Sequence, residues 1–271
     1  MPDPAHSALA DITAALAPTR RIAVLTGAGM SAESGIPTFR GARNGLWERF
    51  EPERLATPDA FEEDNALVWG WYRWRTALVE LAQPHAGHLA LVALEKRGKE
   101  VAVITQNVDD LHERAGSADV VHLHGSLFAA RCSDCSLAHA HEPAPSGIDS
   151  ELRVAPPRCR QCGAPIRPGV VWFGEQLPAL PWARAEQVLN DCDLLLVVGT
   201  SGVVFPAADL PHLVKRRGKP VLEINPVASA ITPIADLHWP VSAATGLAQV
   251  LAAVAGSAGS TMPEPQRDDR L

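Results

Sequence analysis

At 271 residues, with 46% apolar and 20% charged residues, the chain is long enough for one large domain with an insertion or for two modest ones. Its composition excludes global disorder and fibrous repeats. Twenty-four basic residues against 31 acidic ones leave a formal charge of −7, so no direct nucleic-acid partner is expected, and a lysine-bearing substrate is mildly attracted. The first twenty residues lack a basic start followed by an apolar run, and nowhere do about 18 apolar residues run uninterrupted; no signal peptide, no membrane span and a cytoplasmic location are expected.

In chain order, Arg21 to Thr26 (RIAVLT) reads as a buried strand that stops at Gly27-Ala28-Gly29, after which a helix is expected to start. Residues 41–85, rich in Trp, Arg and Glu, read as a small helical module. His85 to Gly98 reads as a helix ending in ALEKRG, where cations and then glycine are stop signals. Glu100 to Thr105 (EVAVIT) is a second strand, Asp119 to Val121 a short apolar stretch before His122-Leu123-His124-Gly125, and Asp193 to Gly199 and Pro220 to Asn225 are further apolar runs. Such strands are covered on both faces, as in a parallel sheet. Between them, 131–167 holds the cysteines and several prolines with little periodicity, and GSAGSTMPEPQRDDRL at the end has the composition of a disordered tail. The fold class is therefore α/β, a doubly wound parallel sheet of Rossmann type with a smaller metal-binding and helical part. Parallel sheets bind ligands beyond the C-terminal ends of their strands, so Gly27 to Gly29, Gln106 to Asp109, Gly199 to Ser201 and Asn225 are expected around one crevice.

Gly27-Ala28-Gly29-Met30-Ser31-Ala32 fits the dinucleotide fingerprint GxGxxG/A after a strand, where glycines let the backbone approach a pyrophosphate. That short match alone weighs evenly against a plain tight turn. Cys132-x-x-Cys135 and Cys159-x-x-Cys162, with 23 residues between the pairs, offer four thiolates for a tetrahedral, structural Zn2+, and all-cysteine sites leave no open position for water. Cys192 reads as a buried packing residue. His124, at a strand end, is the candidate general base because imidazole titrates near neutrality.

GAGMSAESGIPTFRG, TQNVDDLHERAG, HLHG, the paired CxxC knuckles, RPGVVWFGE, VVGTSGVVFPAA and EINP, in this order, resemble the sirtuins over roughly residues 20 to 250. The resemblance implies that NAD is a consumed co-substrate and that the partners are acylated-lysine proteins or peptides lying between two domains. The NAD domain would comprise 1–40, 86–128 and 168–255. The smaller one would join the 41–85 helical module to a 129–167 zinc module, with 256–271 a tail. It also implies a mechanism in which the acyl carbonyl oxygen attacks the ribose C1′ carbon and expels nicotinamide. His124 then takes a proton from a ribose hydroxyl, and water releases free lysine and 2′-O-acyl-ADP-ribose. Asn107 and Asp109 would position the ribose and the nicotinamide amide. The cofactor contacts implied are Gly27, Ala28, Gly29, Glu33, Phe39, Arg40, Gln106, Asn107, Val108, Asp109, Gly199, Thr200, Ser201, Asn225, Pro226, Val227 and Ala243. Val171, Trp172, Phe173, Gly174 and Glu175 would pair with the substrate backbone as an added strand, so sequence selectivity should be loose. A monomer is expected.

Tyr72 and Arg75 are three apart and share a face if helical. This Tyr-x-x-Arg resembles the signature of the sirtuin branch that removes succinyl, malonyl and glutaryl groups, with Ala56 leaving room in the pocket; acetyl is expected to be accepted as well. Alternatives are a packing aromatic beside a solvated cation, and hence mainly a deacetylase. Outside the family lie an NAD-dependent dehydrogenase, which needs an acidic residue about 20 positions past the glycines, near Glu51 or Glu53, and a zinc-stapled module that binds acyl-lysine without turnover.

Overall fold

The computed structural model describes residues 4–38, 52–144 and 153–258, with side chains described for 7–38, 54–144 and 153–255. Phe39, Arg40, Glu51, the 41–51 part of the helical module, 145–152 of the cysteine segment and 259–271 of the expected tail lie outside the described residues. So does the side chain of Glu53.

Six strands form one parallel sheet: β1 (Arg21–Thr26), β2 (Glu100–Thr105), β3 (Val120–His122), β6 (Leu194–Val198), β7 (Val221–Ile224) and β8 (Leu237–Trp239), in the order β3-β2-β1-β6-β7-β8. That is the doubly wound dinucleotide-binding order, and its switch point lies between β1 and β6. Alternation along the strands decides which side chain meets which layer. Ile22 and Val24 of β1 and Leu194, Leu196 and Val198 of β6 pack with α1 (Pro4–Leu16), α5 (Ala86–Glu95) and α9 (Ala243–Ala258). Ala23, Leu25, Leu195 and Val197 pack on the other face with α7 (Ala179–Asp191) and α8 (Leu210–Arg216). Both faces are buried, which is why the strands read as unbroken apolar runs rather than alternating ones.

After β1 the chain makes two 3-10 turns, Ala28–Met30 and Ala32–Ser34, in place of the expected helix. The second turn ends at Gly35, which is left-handed at φ 85, and Pro37 follows, so the run has no room to propagate. The helix expected to begin at His85 spans Ala86–Glu95. His85 caps its start, its Nδ1 accepting from Gly87 N, and Lys96 to Gly98 turn out of it with Gly98 at φ 84.

The helical module contributes α2 (Pro52–Leu55), α3 (Pro58–Glu63) and α4 (Asn65–Leu81). Thr57 caps α3 and Asp64 caps α4, each side chain accepting a backbone N–H of the first turn. The cysteine segment leaves from β4 (Gly125–Cys132) and returns through β5 (Ile166–Val170), an antiparallel pair that its weak periodicity did not foretell. The two strands approach so closely that a Cβ on Gly169 would lie 1.9 Å from the Ala129 carbonyl oxygen, and one on Gly125 2.1 Å from the Gly169 oxygen. A short α6 (Leu111–Ala115) links β2 to β3. No helix among the described residues is long and apolar enough to cross a membrane.

Candidate active site

The two central strands end in loops that lock together. Gly29 N donates to the Gly199 carbonyl at 2.8 Å, and a Cβ on Gly27 would meet the Thr200 Cβ at 2.8 Å and one on Gly29 the Gly199 oxygen at 2.7 Å. Gly199 itself is left-handed at φ 60. These glycines are therefore demanded by the fold, which brings the loops after β1 and β6 together at the switch point.

Side chains from four strand ends then meet in two hydrogen-bonded groups, joined through the chain at Gln106 and Asn107. The Ser31 hydroxyl donates to Asp109 Oδ2 at 2.9 Å and accepts from Asn107 Nδ2 at 3.0 Å. Gln106 Nε2 donates to Thr200 Oγ1 at 3.0 Å, and Asn225 Nδ2 to the Thr200 carbonyl at 2.8 Å. Below them the buried hydroxyls of Thr26 and Thr105 are joined at 2.8 Å, and Thr105 Oγ1 receives the Asn107 N–H at 3.0 Å. Asp109 also accepts from Leu111 N, and burial raises its pKa against these hydrogen bonds.

His124, just past β3, is placed by its neighbours. Its Nδ1 lies 3.0 Å from the Gln106 carbonyl, which only accepts, so Nδ1 carries the proton and Nε2 keeps its lone pair. Burial lowers its pKa, which keeps the ring neutral. Its own carbonyl accepts from Val171 N at 2.8 Å, tying the Val171 to Glu175 segment to the strand end.

That segment meets the helical module. Phe173 N donates to the Ala56 carbonyl at 2.9 Å, and Trp172 Nε1 to the Tyr72 hydroxyl at 3.1 Å. Ala56, Tyr72 and Trp172 are buried in one cluster, while Phe173 is exposed. Arg75 is half-buried, its guanidinium carbon 4.9 Å from the Trp71 ring and 5.5 Å from the Tyr72 ring, and burial lowers its pKa while Tyr72 and Asp109 favour its charge. Tyr72 and Arg75 are thus neighbours on α4, and Asp109 is near enough for its charge to favour the guanidinium.

Other expected site residues are occupied elsewhere. Both Glu33 carboxylate oxygens are used at the start of α9, by the Ser242 hydroxyl at 2.9 Å and Ala244 N at 2.8 Å, and Ala243 is packed in the core. The Glu175 carboxylate is gripped by Arg167 at 2.6 and 2.8 Å and accepts from Trp172 N. Arg167 lies 3.5 Å from the Trp172 ring centroid. Pro226 and Val227 are exposed beyond β7, with Ser201 half-buried, and the Val108 carbonyl accepts from Leu127 N. Ser31, which links Asn107 to Asp109, was not singled out from the sequence; its place inside GAGMSA was the only signal.

Cys132, Cys135, Cys159 and Cys162 bring their Sγ atoms within 4.8 Å of one another, with Cys132 to Cys162 at 3.4 Å and Cys135 to Cys159 and Cys162 at 3.6 Å. A tetrahedron with Zn–S bonds near 2.3 Å has edges of about 3.8 Å, whereas a disulfide needs about 2.05 Å. The amides of Asp134, Cys135 and Gln161 point at the sulfurs at 3.4 Å, as suits thiolates. The donor set fits a closed structural zinc. Cys192 is buried and donates to the Leu189 carbonyl, a packing residue as expected.

Behind the crevice, His85, His88 and His112 pack ring against ring, tilted and edge-on, with centroids 4.2 and 4.9 Å apart. His88 Nε2 and His112 Nδ1 are buried without a hydrogen-bond partner, and burial pushes the two pKa values down to about 2 and about 4. The unfolded chain binds these protons near pH 6.5 and the folded chain does not. Stability is therefore full above about pH 6.5 and is lost as pH falls, by about 2 kcal/mol for each histidine at pH 5. Urea unfolding of wild type at pH 8 and pH 5 is expected to register this loss, and His88→Leu to reduce it; an equal loss in the variant would refute the assignment.

Comparison with known proteins agrees with this geometry. Residues 27–206 match the model of the Sir2 family. The NAD-dependent protein deacylase of Methylococcus capsulatus is 53% identical over 222 residues, covering 82% of this chain and 87% of that one. NAD-dependent protein deacylase 2 of Pyrobaculum aerophilum is 54% identical over 222 residues, with 82% and 86% covered. The crystal structure of a Sir2 homolog–NAD complex superposes with a TM-score of 0.84 at 46% identity, covering 92% of this chain and 94% of that one.

Proposed function

The chain belongs to the Sir2 family and acts as an NAD-dependent protein deacylase, and on that premise we propose that the acyl groups it removes by preference end in a carboxylate, as succinyl, malonyl and glutaryl do. The observation that carries this reading is the Tyr72–Arg75 pair on α4, set among Trp71 and Trp172 and within electrostatic reach of Asp109. With Trp172 donating to the Tyr72 oxygen, the phenol's own proton is left to donate, and a guanidinium beside a phenol is a sound receptor for a carboxylate. Ala56, buried in the same cluster, adds little bulk there.

In the chemistry, His124 is the base: with Nδ1 held by Gln106, its Nε2 is the atom that takes a proton from a ribose hydroxyl. Asn107 and Asp109, cross-linked by Ser31, hold the nicotinamide ribose side. Gly27 to Gly29, Gly199, Thr200, Ser201 and Asn225 line the adenosine side, where NAD supplies the leaving nicotinamide and the ADP-ribose that accepts the acyl group. Val171 to Gly174 offer backbone to an acylated-lysine peptide, whereas the Glu175 carboxylate braces that segment through Arg167. The four cysteines hold zinc as a structural staple. We assign the sheet and its helices to the NAD domain and the α2–α4 and cysteine modules to the smaller one, and expect a monomer acting on cytoplasmic proteins.

The test is kcat/KM on succinyl-lysine and acetyl-lysine peptides, with nicotinamide and acyl-ADP-ribose identified by mass spectrometry. Wild type is expected to prefer the succinyl peptide, and Tyr72→Phe/Arg75→Met to lose about a hundredfold on it while changing only a few-fold on the acetyl one. An unchanged preference in the double variant would sink the acyl assignment and leave the deacylase intact.

A further inference from the structure

His122, at the end of β3, is used by neither the base nor the acyl pocket, yet both of its ring nitrogens are engaged. Nε2 lies 2.6 Å from Glu113 Oε1 on α6, and Nδ1 lies 3.1 Å from the backbone carbonyl oxygen of Asn107. A carboxylate and a carbonyl only accept. A neutral imidazole has one N–H and satisfies one of them; the imidazolium, with two, satisfies both. Its neighbour His124 faces a single acceptor and needs only one N–H.

The carbonyl that His122 meets belongs to the residue that grips Ser31, and through Ser31 the carboxylate of Asp109. Glu113, His122 and Asn107 therefore form a chain from α6 into the reacting side of the crevice. We propose that His122 is a positioning residue for deacylation, an imidazolium that ties the Asn107 carbonyl to Glu113 and thereby holds the Asn107–Asp109 segment against Ser31 in its working geometry.

The charged and titratable groups around the ring agree with a proton held there. Glu113 and His112 face it from α6 and Asp109 from the loop after β2; β2 itself sets the uncharged Thr105 opposite in register, and on α7 Arg184 is taken by Asp119. Burial works against charge on the ring, but the Glu113 carboxylate outweighs it and the His122 pKa is raised. The sign follows: the imidazolium is present below that raised pKa and is lost as pH rises through it. His124, whose pKa burial lowers, must instead be neutral to act. The two histidines thus set opposite limbs of the pH profile, His124 the acid limb and His122 the alkaline limb.

This inference rests on the deacylase reading for its kinetic readout, so a second readout is taken without turnover. The experiment records kcat/KM against pH for wild type, Glu113→Gln and His122→Gln with the best acyl-lysine peptide, and the histidine ring 15N–1H NMR spectrum of each in the absence of substrate. Glu113→Gln, which keeps the histidine but removes its counter-charge, is expected to bring the alkaline limb down by about one pH unit and to leave the acid limb in place. His122→Gln is expected to remove the alkaline limb and to lower the plateau about ten- to a hundredfold, since the lost lock displaces the segment slightly. At neutral pH the ring of His122 should show two N–H signals, absent in His122→Gln. An alkaline limb at the same pH in wild type and Glu113→Gln, or one N–H on the His122 ring at neutral pH, would overturn the proposal. Absence of wild-type turnover on every acyl peptide would instead count against the deacylase reading, with the ring spectrum still deciding the state of His122.

Discussion

His124→Ala is expected to lower kcat/KM for deacylation by about 10²- to 10⁴-fold, the usual share of a positioned general base, with zinc content and unfolding midpoint close to wild type. The reason lies in how the ring is held. The Gln106 carbonyl accepts from Nδ1, which fixes the tautomer and leaves Nε2 as the basic atom, and burial lowers the pKa so that this atom is free near neutrality. The same arrangement predicts an acid limb in wild type lying below the ordinary histidine value of about 6.5, because activity is lost only when the pH falls through the lowered pKa and the ring takes a second proton. His124→Ala should slow acyl-ADP-ribose formation to that extent without abolishing NAD binding, which we assign to the loops after β1 and β6. Calorimetry with NAD and quantification of acyl-ADP-ribose and deacylated peptide on the same preparation check both halves, since nicotinamide leaves before His124 acts. Turnover within a few-fold of wild type would remove His124 from the chemistry.

Cys132→Ser/Cys159→Ser is expected to take bound zinc from one equivalent per chain to none, and to lower the unfolding midpoint by about 10 °C or more, since metal binding and folding of such a module are linked. The two residues come from different knuckles, and their sulfurs lie in the cluster that pins the returning strand β5 to β4. β5 leads directly into Val171 to Glu175, so loss of the staple should also weaken acyl-peptide binding through the segment that His124 and Ala56 hold by their carbonyls. Zinc is closed off from the crevice chemistry, so at temperatures where the variant is folded its kcat should fall less than its peptide affinity. Zinc by atomic absorption, the unfolding midpoint and kcat against KM are the measurements. Full stability without metal would show that the cysteines do not staple the fold.

Much of this was readable along the chain because it is local. RIAVLT, EVAVIT and the Leu194 to Val198 run are mainly apolar on both faces, the Val221 to Ile224 run is so but for the buried Glu223, and each is followed by glycine or polar residues, so strand, layer and ligand-facing end follow from short stretches. The two CxxC pairs carry their chemistry in their spacing, and Tyr72 with Arg75 needed only helical geometry to meet. Where local signals were weak the reading was coarser. The β4–β5 pair holds Pro168 and two glycines that let the strands approach so closely that an added Cβ would lie only 1.9 to 2.1 Å from a carbonyl oxygen across the pair, and the glycine turn after β1 proceeds as 3-10 turns because Gly35 and Pro37 stop it.

What tertiary structure alone decided are the pairings between distant residues. Ser31 reaches Asn107 and Asp109 across 76 and 78 positions, and no period or motif within the chain records that distance. The same holds for Glu33, whose carboxylate is spent at the start of α9, 209 positions away. A side chain's type limits what it can donate or accept; only its burial and its partners decide which proton it carries. Composition offered ten histidines, but the Gln106 carbonyl leaves one of them with a free Nε2, the Asn107 carbonyl and Glu113 face both nitrogens of another, and the apolar interior leaves His88 and His112 neutral.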